Sequence, residues 1–189
     1  MAAIMADTCL RLDDESVFDS HTQGFISILS KAIVMWKAGR SEHPAGPLPW
    51  PRIYMSRSIV DIGWIAPLYY TALKCRVHRI RLQAIRLIET TSYREGMWDS
   101  KIASCVARRV MEIEEGGFYN DLGPGDDFSL SSSPEIDDLS LPTSPQLDRI
   151  CEVRIALSDG PTDPILIHYR QAQTAWEDSL IFTSGKDNA

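Results

Sequence analysis

The hydrophobic period changes once along this chain, and a charged, turn-rich stretch marks the change. Before residue 117 apolar side chains recur at helical spacing; after residue 150 they alternate every second residue. Between them, residues 118–148 carry Gly123, Pro124, Gly125, Ser131-Ser132-Ser133-Pro134, Pro142 and Ser144-Pro145. Such a stretch buries too little apolar surface to offset the entropy of ordering it, so it reads as a disordered connection. The pattern predicts a mainly α fold, a helical array with a small C-terminal antiparallel β-hairpin or three-stranded element. The expected organisation is a helical domain over 1–117, the acidic segment 118–148, a β element over 149–183 packed on the helices, and a frayed tail over 184–189.

Helix by helix, residues 2–12 suit a short helix and Asp13-Asp14-Glu15-Ser16 interrupts it. Asp19 or Ser20 is a fitting N-cap for a helix with Phe25, Ile26, Leu29, Ala32, Ile33 and Trp36 on one face. Two Gly and four Pro within 39–51 read as a loop, and helix resumes from Ile53 to Ile62. Pro67 suits the first turn of another helix, where its missing N–H is harmless. Leu68 to Ile88 is helical, as one helix or two, with Leu73, Val77, Ile80, Ala84, Leu87 and Ile88 sharing a face. A connection over 90–97 leads to Asp99, the N-cap of a helix with Ile102, Cys105, Val106, Val110 and Ile113 as its stripe, stopped by Gly116-Gly117. Val153, Ile155 and Leu157, then Asp159-Gly160, then Ile165, Ile167 and Tyr169 read as a hairpin, with Leu180-Ile181-Phe182 favouring a third strand.

Charge is unevenly placed. The net charge is −7, which disfavours nonspecific nucleic-acid binding by the whole chain. Between Val110 and Asp148 there are ten acids and no Lys or Arg, whereas the remaining sixteen acids face nineteen bases. The basic run Lys74-Cys75-Arg76-Val77-His78-Arg79-Ile80-Arg81 has no interleaved aromatic to stack a base, and reads as the solvated face of a helix.

Catalytic and metal signatures are not legible. Cysteines at 9, 75, 105 and 151 stand too far apart for a local knuckle or redox pair, which fits a reducing compartment. Cys75 and Cys105, on apolar stripes, read as core thiols. Histidines 21, 43, 78 and 168 are never three or four apart, so no helical metal pair forms. The expectation is no catalytic residue, no metal ligand and no cofactor. The start of the chain lacks the basic residues and length of a secretory signal, and no apolar run spans a membrane.

One block is distinctive: Arg94-Glu95-Gly96-Met97-Trp98-Asp99-Ser100, preceded by Pro67-Leu68-Tyr69-Tyr70 and Lys74-Cys75-Arg76. With Ser16-Val17-Phe18-Asp19-Ser20 and the closing Ile167-His168-Tyr169-Arg170, it resembles the C-terminal part of the helical regulatory region of fungal zinc binuclear-cluster transcription factors. The resemblance covers about two-thirds of the chain. It departs after Lys74-Cys75-Arg76, where the family carries Asp-Pro and this chain has Val77-His78. The family's six-cysteine DNA reader has no counterpart here, since there is no Cys-x-x-Cys, so no zinc ligand or DNA contact carries over.

The resemblance implies a transcription-regulator-like protein of the nucleus or cytoplasm. It would lack its own DNA-binding domain and act through a partner factor or coactivator, as in control of a fungal metabolic gene cluster. Phe128, Leu130, Ile136, Leu139 and Leu141, set among acids, are the expected partner-binding side chains, with Ser133-Pro134 and Ser144-Pro145 as points of phosphorylation. Arg94, Glu95, Gly96, Trp98 and Asp99 are expected to be structural: Trp98 anchors the loop, Asp99 caps a helix and Arg94 pairs locally. Two alternatives stay open, a truncated or nonfunctional fragment of such a factor and a small helical enzyme with an unrecognised pocket.

Overall fold

The computed structural model describes residues 1–9, 14–41, 63–91, 94–119, 127–134, 142–157, 164–171 and 174–181. The expected helix over 53–62 and the Asp159-Gly160 turn lie outside these residues. The fold is mainly α with a C-terminal three-stranded antiparallel sheet. The helices are α1 (Ala2–Thr8), α2 (Thr22–Ser41), α3 (Ile65–Lys74), α4 (His78–Glu89) and α5 (Ser100–Glu115). A 3₁₀ helix, Glu15–His21, leads into α2. A two-stranded hairpin of β1 (Arg94–Glu95) and β2 (Trp98–Asp99) separates α4 from α5. The sheet is β3 (Ile150–Ala156), β4 (Ile165–Gln171) and β5 (Glu177–Ile181), in that order. Among the described residues no helix is long and apolar enough to cross a membrane.

Helix α4 is the centre of the packing. It lies against α2, α3 and α5, and its residues His78–Ile85, Leu87 and Ile88 are all buried. A single apolar cluster runs from Ile4, Phe18 and Phe25 through the four longer helices to Ile150, Ile165, Ile167, Tyr169 and Ile181 of the sheet. Strand β4 alternates as its sequence demands, with Ile165, Ile167 and Tyr169 buried and Leu166, His168 and Arg170 half-buried on the other face. Partners in register are Ala156, Leu166 and Leu180 in one row and, two residues along, Arg154, His168 and Asp178.

Three details bear on the expectations, two as differences and one as a choice between alternatives left open. Asp19 does not cap α2; the 3₁₀ helix runs straight into Thr22, so no separate N-cap is needed, and the Asp19 carboxylate pairs with Arg149 instead. Asp14 is the cap used, accepting from the Ser16 N–H at 3.1 Å. The second decides for two helices over Leu68–Ile88, and the break between α3 and α4 forms without a proline: Cys75 and Val77 are extended, with ψ 136° and 112°. The third is the stripe of α5, which centres on Ala103, Val106, Ala107, Val110 and Met111, leaving Ile102, Cys105 and Ile113 at its margin.

The Arg94–Ser100 block joins three elements. Gly96 makes the hairpin turn at φ 58°, a conformation that suits glycine. The Trp98 ring packs 5.2 Å from that of Tyr69. Asp99 accepts from the N–H groups of Lys101 and Ile102 at 3.0 and 3.2 Å, and Arg94 lies 3.9 Å from its carboxylate. Glu95 reaches furthest. It is buried, and its two oxygens accept from the N–H groups of Trp64 and Ile65 at 3.1 and 2.8 Å, capping α3 from thirty residues away.

Gly63 makes room for that carboxylate, since a Cβ there would sit 1.9 Å from a Glu95 oxygen. Glu95→Ala should therefore cost about 1–2 kcal/mol in urea unfolding. Gly63→Ala should cost more in the wild-type chain than in the Glu95→Ala chain. Equal costs in the two backgrounds would contradict the steric account.

Candidate functional site

Among the described residues, a dense cluster of chemically capable side chains lies inside the molecule. The α3–α4 break turns Arg76 inward, where it meets Glu15 of the 3₁₀ helix and Glu114 in the last turn of α5. Arg76 Nη1 donates to both Glu114 oxygens at 2.7 and 2.8 Å, and Nη2 donates to Glu15. On the other side of Glu114, Arg81 Nη2 lies 2.5 Å from Oε2 as an ion pair outside hydrogen-bonding geometry. The Arg81 Nε donates to the Ala72 carbonyl at 2.8 Å. The N–H of Ile150, at the start of β3, donates to Glu114 Oε1 at 2.7 Å.

Further pairs extend this network outward. Lys74 Nζ is 2.6 Å from Glu15 and donates to the Cys151 carbonyl at 3.2 Å. Glu115 faces His78 Nδ1 at 2.8 Å and Arg81 Nη1 at 3.4 Å, and the His78 ring packs 4.6 Å from Tyr119. Arg149 reaches Asp19 at 3.0 Å and the Glu15 carbonyl at 3.3 Å. Four carboxylates thus meet four cations and one histidine.

Burial and charge compete here, and charge wins. Burial alone would lower the Arg76 pKa, but Glu114 and Glu15 beside it hold it above the ordinary value. Burial alone would raise Glu114, but Arg81, Arg76 and the Ile150 N–H hold it below the usual carboxylate range. The Cys75 thiol, 1 % exposed, is pushed up to about 11, chiefly by burial, and so is a poor nucleophile at neutral pH.

These contacts correct the reading of the basic run 74–81 as a solvated face. Arg76, His78, Arg79 and Arg81 are all buried: Glu15 of the 3₁₀ helix and Glu114 and Glu115 of α5 meet Arg76, His78 and Arg81, while Gln83, Ser132 and the Phe128 ring engage Arg79. A signal for this was present in the sequence. Glu114 falls four residues after Val110 on the buried stripe of α5, and Arg81 falls between Val77 and Ala84 on that of α4. A charge on an apolar stripe requires a partner, and these two are each other's.

The expected partner-binding residues are also placed differently. Residues 127–134 lie against α4. The Arg79 guanidinium sits 3.2 Å from the centre of the Phe128 ring and that of Arg86 4.6 Å from it. Gln83 donates to the carbonyls of Leu130 and Ser132 at 2.9 and 2.8 Å, and Arg79 Nη2 donates to Ser132 Oγ at 2.8 Å. Phe128 and Leu130 are half-buried because α4 offers two guanidiniums and an amide to this segment. Ile136, Leu139 and Leu141 lie outside the described residues.

Among the described residues no group of three or more His, Cys, Asp and Glu side chains is arranged to hold a metal ion. Comparison with family models, curated proteins and solved structures finds no match.

Glu114→Gln removes the charge between two buried guanidiniums, and should cost about 3–5 kcal/mol at pH 7 in urea unfolding. Because the folded-state pKa of Glu114 lies below its ordinary 4.5, its stabilisation is complete above that value and fades as pH falls through the lower one. The gap between wild type and Glu114→Gln should therefore narrow only below about pH 4.5. A gap under about 1 kcal/mol at pH 7 would show that the network is incidental.

Proposed function

We propose that this chain is a transcription-regulator-like scaffold that works by binding other proteins, without a DNA reader among its own 189 residues. In this reading the helices are an array that carries a contact face, the partner is a transcription factor or coactivator, and the setting is the nucleus or cytoplasm of a fungus. The block Arg94–Ser100 and its neighbours motivate the family analogy, and control of a metabolic gene cluster follows from that analogy alone.

The observation that carries the reading is the apolar surface that the sheet leaves exposed. Leu157 and Leu180 are 64 % and 57 % exposed, and Ile155 and Trp176 are each 39 % exposed. Leu180 stands in one cross-strand row with Leu166 and Ala156. Exposed apolar side chains on so small a sheet favour contact with another protein. Glu114, Arg76 and Arg81, by contrast, are engaged with one another under cover, where a dissolved substrate has no access to them.

The test is a reporter assay. The chain is fused to an unrelated DNA-binding module and compared with that module alone. Reporter output should rise several-fold, and Leu157→Asp combined with Leu180→Asp should return it towards baseline with the melting temperature held. A wild-type fusion no more active than the bare module would refute the proposal.

A further inference from the structure

The chain has two Ser-Pro dipeptides, and the fold treats them oppositely. Ser144 is 3 % exposed, and its hydroxyl has no hydrogen-bond partner among the described residues. Its carbonyl accepts from buried Arg149, which also holds Asp19 and the Glu15 carbonyl. A kinase could reach Ser144 only by opening that end of the charge network. Ser133 is exposed, precedes Pro134, and lies outside any helix or strand, the state in which a kinase cleft accepts an extended segment.

The ground beside Ser133 is cationic. Its neighbour Ser132 accepts from Arg79 Nη2, and Arg79 and Arg86 both face the Phe128 ring. The segment is held by one ring between guanidiniums, by Gln83 at two carbonyls and by Arg79 at one hydroxyl. These are contacts of modest strength, at a surface where a dianion would meet two arginines.

We propose that Ser133 is a site of proline-directed phosphorylation, and that the phosphate fastens residues 127–134 to α4. In the transfer, Ser133 Oγ attacks the γ-phosphorus of a nucleoside triphosphate. The new O–P bond forms as the bond from that phosphorus to the β,γ-bridging oxygen breaks. The nucleoside diphosphate leaves, and the hydroxyl proton passes to the kinase's base. The product carries nearly two negative charges at pH 7 and three acceptor oxygens. Arg–phosphate pairs join two opposite charges and are stronger than the guanidinium contacts to a hydroxyl and a ring now in place, so Arg79 and Arg86 grip the segment more firmly. This inference goes beyond the protein-contact reading and stands without it.

The intact chain is treated with a proline-directed Ser/Thr kinase and ATP, mapped by mass spectrometry, and followed by amide hydrogen exchange. Phosphate is expected on Ser133 and not on Ser144, and Ser133→Ala should abolish its uptake. Exchange across 127–134 should slow by about tenfold on phosphorylation, the equivalent of one charge-assisted pair. The slowing should be smaller in Arg86→Gln. Phosphate on Ser144 in place of Ser133, or an unmodified Ser133, overturns the site. Exchange that is unchanged or faster, or slowing of full size in Arg86→Gln, overturns the fastening.

Discussion

One carboxylate determines how the parts of this protein meet. Glu114 lies between Arg76 and Arg81 and accepts the first N–H of β3. Through Arg76 it is tied to Glu15, and through Glu15 to Lys74 and the carbonyls that open β3. The N-terminal 3₁₀ helix, the α3–α4 break, the end of α5 and the start of the sheet therefore converge on one set of charges. Such a set adds little net stability over apolar side chains of the same shape, because each ion loses its water. It does penalise misassembly. If β3 slipped by one residue, the Ile150 N–H would leave Glu114 and two guanidiniums would face a half-satisfied carboxylate. The ladder irregularity between Ile150 and Glu152 falls at this junction, where pairing with β4 meets pairing with the helical body.

This arrangement explains which parts of the fold the residues announce and which they conceal. Element types follow from local rules. Phe25, Leu29, Ala32 and Ile33 lie on one helical face, Asp99 is a good cap, Gly116 adopts φ 47° after α5, and β4 alternates cleanly. The charge network depends on residues up to 134 positions apart, which no local period connects. Its trace in the sequence is a mismatch: Glu114 and Arg81 sit at positions their helices reserve for apolar side chains. Glu95 is hidden for the same reason, because a carboxylate in a hairpin gives no hint that it caps a helix thirty residues earlier.

The candidate site was the least legible part. Composition made 118–148 look like a plain acidic tether, yet its middle, 127–134, binds the one helix face that offers Arg79, Gln83 and Arg86 in successive turns. The acids set the segment's character, while Phe128 and two carbonyls make its contacts. Function then divides between surfaces. Inside, the ionisable groups tie the elements together; outside, Leu157 and Leu180 of the sheet region and Ser133 of the docked segment are exposed.

The most direct test of the central claim is a double-mutant cycle between Glu15→Gln and Glu114→Gln, read by urea unfolding at pH 7. The two carboxylates do not touch but share Arg76. If the network acts as a unit, the two losses are non-additive by roughly 1–3 kcal/mol, as for members of one buried set. Losses that add to within about 0.5 kcal/mol would mean that the pairs act separately, and would contradict the account.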